Sequence, residues 1–172
     1  SALIAKMHGF ETCHLVDSDA FASTDVAAFR QLSRFLRTQG LSAPAFEDVT
    51  NIAEIMNECG GQYWTNGLES LRQIPAASVH FIWSQAVLEH IKSNDFLPTM
   101  RELRRIIKPS GIISHRIDLT DHLGGALNNL RFPQKIWESK FMSRSGFYTN
   151  RIRFSKMISY FEQAGFLVNV IK

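Results

Sequence analysis

Hydrophobic and polar positions change their spacing several times along the chain, and each change predicts an element. Residues 2–8 read as the end of a helix stopped by Gly9, and "ETCHLVD" reads as a strand closing at Asp17. Apolar residues at three- and four-residue spacing predict helices over roughly 24–38 and 47–58, the second ended by Gly60 and Gly61. A short strand "QYWT" follows, then a loop to Pro75, a buried strand over 79–84 and a helix over roughly 95–107. "KPSG" predicts a turn into another strand, "GIISHRIDL", and residues 120–150 form a long irregular segment. A last helix near 154–164 is capped by Gly165, and "FLVNVI" predicts a final strand.

Strands alternating with helices predict an α/β fold, with a mostly parallel, doubly wound sheet covered by helices on both faces. Ligands of such sheets bind beyond the carboxyl ends of the strands. Asp17, residues 84–90 and residues 115–122 all fall at such ends, so these stretches are the ones to search for chemistry.

Composition narrows this picture without redrawing it. The 172 residues, 45% apolar and 20% charged, suit one globular domain spanning 1–172. A net charge of +3 is spread along the chain rather than gathered on one face, which argues against a nucleic-acid partner. Cys13 and Cys59 lie far apart without a pairing or zinc motif and read as reduced thiols. No apolar run is long enough to span a membrane and no leader pattern is visible, so a cytoplasmic protein is expected.

Asp17 can accept hydrogen bonds from ribose hydroxyls or close a turn, and Asp19 competes for either role. After the buried strand "SVHFIW", Ser84, Gln85, Glu89 and His90 follow in quick succession. Two readings stand for Glu89 and His90: acid, base or ligand, or a brace for a helix whose Val87, Leu88 and Ile91 pack inward. "HRIDLTDH" sets His115, Asp118 and His122 close together, a donor set that suits a divalent metal. On a strand, however, residues 115 and 118 point to opposite faces, so no metal is expected, and the trio reads either as a base or acceptor contact or as a hydrogen-bonded structural element. Arg151 and Arg153 can present forks to an anionic acceptor or start a helix in solvent, and Trp137, Phe141, Phe147 and Tyr148 can line a pocket or cover a core.

Taken in order, "HLVDSD", "SVHFIWSQAVLEHI", "ELRRIIKPSGI" and "FEQAGFLV" resemble the class I S-adenosylmethionine-dependent methyltransferases, in particular the group with a "VLEH" step after the fourth strand. The resemblance covers about residues 1–118 and 154–172 and makes 120–150 an insert on the acceptor side. It implies a Rossmann-like sheet with S-adenosylmethionine as cofactor, and transfer of its methyl group to a small-molecule acceptor such as a sugar or other polar metabolite. Asp17 then matches the ribose-binding acid, Leu68 and Glu69 the adenine edge, and Ser84, Gln85 and Ala86 the methionine end. His90 matches a histidine near the reacting centre, with His115 and His122 as further candidates for a base.

The chain departs from the family pattern in several places. The family's glycine-rich loop and first strand have no counterpart, so the chain is expected to be N-terminally truncated, and the last strand is expected to be missing as well. Asn66 and Gly67 stand where an adenine-contacting aspartate is usual, and His80 stands where the fourth strand usually starts with an aspartate. These departures motivate an alternative, a catalytically silent methyltransferase-like module that serves a partner subunit. A nicotinamide-binding dehydrogenase would also use an acid after its second strand, but "VLEH" and "KPSG" fit it poorly.

Overall fold

The computed structural model describes residues 1–171. It is a mixed α/β structure with short parallel strands, and the chain divides into two compact units, residues 1–70 and 71–172.

In the first unit α1 (Ala2–Met7) leads to β1 (Cys13–Val16), and α2 (Val26–Thr38) and α3 (Ile52–Glu58) precede β2 (Gly61–Trp64). β1 and β2 pair in parallel, with Cys13 opposite Gly61 and Val16 opposite Trp64. Asp25 caps α2 by accepting from the amides of Ala27 and Ala28 at 2.9 and 3.2 Å. Asn51 caps α3 through the Glu54 amide at 3.1 Å, while the Glu54 carboxylate reaches back to the Thr50 amide at 2.7 Å.

The expected helix over 47–58 therefore starts only at Ile52. The apolar residues before it serve the core from irregular chain: Phe46 and Val49 are buried with Leu3, Leu36, Ile55 and Cys59. α4 (Gly67–Gln73) occupies what the sequence pattern gave as loop and crosses the boundary between the units. Its seven residues are too few to display a helical period.

In the second unit β3 (Val79–Gln85) pairs in parallel with β4 (Ile107–Arg116), and α5 (Ser93–Ile106) joins them. "KPSG" is not a turn. β4 runs through it, and the register slips between Val79, opposite Ile107, and Phe81, opposite Ile112. Gly111 is needed at this irregularity, because a Cβ there would sit 2.5 Å from Ile107 Cγ1 and 2.9 Å from the His80 carbonyl.

The 120–150 segment is less irregular than its sequence suggests. It holds α6 (Gln134–Trp137) and two 3-10 turns, and packs Trp137, Met142 and Tyr148 into a core of their own with Leu123, Phe132 and Phe147. α7 (Phe154–Gln163) packs on α5, with Phe161 edge-on to Phe96. The strand expected in "FLVNVI" does not form: residues 166–171 are irregular, and Leu167 and Ile171 are almost wholly exposed. A strand exists only against a partner, and none pairs with this stretch among the described residues.

Candidate functional site

In the first unit the backbone carries β1 one residue further than its side-chain pattern. The Asp17 amide donates to the Trp64 carbonyl at 2.8 Å, and the Asp17 carbonyl accepts from the Gly67 amide at 2.8 Å. Asp17 is thereby fixed at the carboxyl end of a parallel pair, beside the start of α4, which carries Leu68 and Glu69. One carboxylate oxygen of Asp17 accepts from the Ser18 amide at 2.8 Å, and the other has no protein donor among the described residues. The loop that follows is held by Tyr63, whose hydroxyl accepts from the Phe21 and Ala22 amides at 3.0 and 3.1 Å and donates to the Asp19 carbonyl at 3.1 Å. Asp19 itself accepts from the Ala20 amide at 2.8 Å and closes its own turn. A carboxylate with an open oxygen at a strand end suits a ribose diol, the fit that the sugar of a nucleoside cofactor requires.

In the second unit the strand alternation separates three residues that the sequence groups together. Ser84 pairs in register with His115, and its hydroxyl lies 2.7 Å from His115 Nδ1. The His115 ring packs 5.7 Å from that of Phe161, and its Nε2 is buried without a partner. Burial disfavours the imidazolium and pulls the His115 pKa down to about 4, so the ring is neutral at physiological pH. Gln85 and Ala86 are instead exposed. The Ala86 amide donates to the Arg116 carbonyl at 2.9 Å, and its φ of +51° turns the chain sharply out of the sheet.

That turn delivers a short 3-10 helix, Leu88–His90. Leu88 packs inward as the bracing reading expects, whereas Val87 is exposed and Glu89, the charged residue, is 1% exposed. One Glu89 carboxylate oxygen accepts from the Asp118 amide at 3.2 Å, and the other is buried with no partner. His90 Nδ1 donates to the Tyr148 carbonyl at 2.7 Å, which leaves Nε2 as the nitrogen not engaged by that bond. The His90 and His122 rings face each other at 5.1 Å, and His122 Nε2 lies 3.4 Å from the Asp118 carboxylate. Hydrogen bonds from the Thr120 backbone and then its hydroxyl hold the Asp118 carboxyl below its ordinary range.

The residues that converge are thus Glu89, His90 and His122, whose ligand atoms all lie within 4.8 Å of one another. The structure does not assemble the trio His115, Asp118 and His122: His115 engages Ser84 and Phe161 instead.

Sequence reasoning missed what holds this turn. The Asn150 side chain donates to the carbonyls of Leu88 and Ile91 at 2.8 and 2.9 Å, and its amide donates to the Glu89 carbonyl at 2.8 Å. Glu138 accepts from the Tyr148 hydroxyl at 2.9 Å and from Ser93 at 2.9 Å, tying the segment to the start of α5. Nothing in the spacing of Asn150 or Glu138 announces these bonds, which span about sixty and forty-five residues of chain. Arg151 is likewise committed to structure rather than to an acceptor: it donates to the carbonyls of Phe132 and Asn129 and stacks on Trp137 at 4.5 Å. Of the four aromatic residues singled out in this segment, Trp137, Phe147 and Tyr148 cover the core and Phe141 is exposed.

Comparison with known proteins gives one family match, to the family described as "Methyltransferase domain", over residues 45–114. No curated protein and no solved structure matches the chain. The matched stretch runs from before α3 into β4 and includes Leu68, Glu69, Ser84, Gln85, Ala86, Glu89 and His90. It supports methyl transfer, with S-adenosylmethionine as the methyl donor that such domains generally use.

Proposed function

We propose that this protein transfers the methyl group of S-adenosylmethionine to a small polar acceptor, a sugar or comparable metabolite, in the cytoplasm. Its parallel strands then belong to a Rossmann-like, doubly wound sheet. The observation that carries this reading is the family match over 45–114, a stretch that includes β2, β3 and the polar residues that follow β3. No helix among the described residues is long and apolar enough to cross a membrane.

S-adenosylmethionine supplies an electrophilic sulfonium methyl, so the protein's task is largely alignment and the exclusion of water. Asp17 offers its open carboxylate oxygen to the ribose hydroxyls, with Leu68 and Glu69 next to it at the start of α4. Ser84, Gln85 and Ala86 serve the methionine end, and the neutral His115 ring fixes the Ser84 hydroxyl rather than taking a proton itself. His90, its Nδ1 proton held by the Tyr148 carbonyl, keeps an Nε2 lone pair that can accept a proton from the acceptor, and His122 stands beside it.

Calorimetric titration of S-adenosylhomocysteine into the full-length protein tests the reading, with Asp17→Ala as the control. Binding that weakens by about 10- to 100-fold in the variant is expected, the worth of a hydrogen bond or two to a charged group. A folded wild type that takes up no S-adenosylhomocysteine would overturn it in favour of a silent module serving a partner subunit.

A further inference from the structure

The turn after β3 carries a feature that methyl transfer does not require. Glu89 is buried, yet one of its carboxylate oxygens has no donor of any kind, which is a costly arrangement for an acidic side chain. The group is aimed at two imidazoles: the ligand atoms of Glu89, His90 and His122 lie within 4.8 Å of one another. Both histidines have one ring nitrogen already engaged. His90 gives its Nδ1 proton to the Tyr148 carbonyl, and His122 sets Nε2 against the Asp118 carboxylate. A carbonyl or carboxylate on the far nitrogen is the support that metal-ligating histidines ordinarily have, since it fixes the tautomer and raises the basicity of the ligating atom. Asp118 also ties the two halves together, because its amide holds the other oxygen of Glu89.

We infer that Glu89, His90 and His122 form a binding site for a divalent first-row transition-metal ion. Two imidazoles and one carboxylate suit zinc and its neighbours rather than magnesium or calcium, which prefer all-oxygen shells. Bonds of about 2.1 Å in a tetrahedral shell set ligand atoms about 3.4 Å apart, so side-chain rotation alone closes the cluster. The ion satisfies the orphaned oxygen of Glu89. Three protein ligands leave at least one position open for water or for an oxygen of a bound molecule. The inference stands on this cluster and does not depend on the identity of the methyl donor or acceptor; an ion bound here takes up the His90 lone pair, so the base role given to His90 above belongs to the metal-free protein.

Titration of Zn2+ alone into the chelator-treated full-length protein, followed by calorimetry, and of Co2+, followed by its visible absorbance, tests the site. One ion per chain is expected, with Glu89→Gln and His122→Ala each weakening binding by more than about 10-fold and Asp118→Asn by about 10- to 100-fold. Far-UV circular dichroism of each variant separates loss of a ligand from loss of the fold, and Glu89→Gln keeps the shape and the oxygen that the Asp118 amide needs. Failure of the folded wild type to take up either ion overturns the inference. So does binding that the Glu89→Gln and His122→Ala variants retain unchanged, which would place the metal on other histidines.

Discussion

The Ser84 hydroxyl and His115 Nδ1 lie 2.7 Å apart, side by side on neighbouring parallel strands, with the other nitrogen of the histidine sealed from solvent. The folded protein therefore holds this imidazole neutral, down to a pKa of about 4 against an ordinary value of 6.5. Between those values the unfolded chain binds the extra proton, so acid favours unfolding. The contribution is complete above pH 6.5, is lost progressively as the pH falls to 4, and amounts to about 3 kcal/mol. Urea unfolding of the wild type and of His115→Gln across that range measures it: the difference in slope between the two belongs to His115. Parallel curves would show that this ring does not sense acid.

Arg151 and Arg153 look alike in the sequence and are predicted to behave differently. Arg151 makes two carbonyl hydrogen bonds and stacks on the fully buried Trp137, whereas Arg153 is exposed at the start of α7. Arg151→Ala is expected to cost about 2 kcal/mol of stability, part of the bonding being screened by solvent, and Arg153→Ala less than about 0.5. Denaturant midpoints of the two variants decide the matter, and equal losses would remove the clamp assigned to Arg151.

Two glycines with positive φ offer a matched pair. Gly60 has φ +64° and a Cβ there would sit 1.9 Å from the Glu11 carbonyl oxygen, whereas Gly9, at φ +85°, faces open space. Gly9→Ala pays only the backbone penalty, about 1 kcal/mol, while Gly60→Ala adds a clash with main chain and is expected to cost about 3 kcal/mol. Thermal melts of both variants give the comparison, and similar shifts would mean that the approach of residue 11 yields easily.

Much of the fold was legible because it is local. The apolar run of β3, the Asp25 cap of α2 and the four-residue spacing of Met157 and Phe161 in α7 each declare themselves within a few residues. What failed to show is what depends on distant partners. α4 has only Leu68 and Leu71 to mark a face, the "KPSG" turn chemistry is overridden by pairing with β3, and "FLVNVI" has strand-forming residues but no neighbour.

The candidate site divides in the same way. Asp17 and residues 84–90 could be located from the strand ends that carry them. The burial of Glu89 could not, since charged residues are rarely buried and its surroundings come from residues about thirty and sixty positions away. His122 reaches His90 rather than His115 because the chain leaves β4 at Arg116 before its alternation can place residues 118 and 122 on a strand face.

The turn from Leu88 to Ile91 is held largely by its own carbonyl oxygens, with Asn150 donating to three of them. A carbonyl is the same chemical group whichever side chain its residue carries. Heredity can therefore rewrite Leu88 or Ile91 within the limits of packing and leave the staple intact, whereas one change at Asn150 withdraws two donors together. The shape of this corner is guarded by a single codon some sixty positions downstream of the residues it shapes.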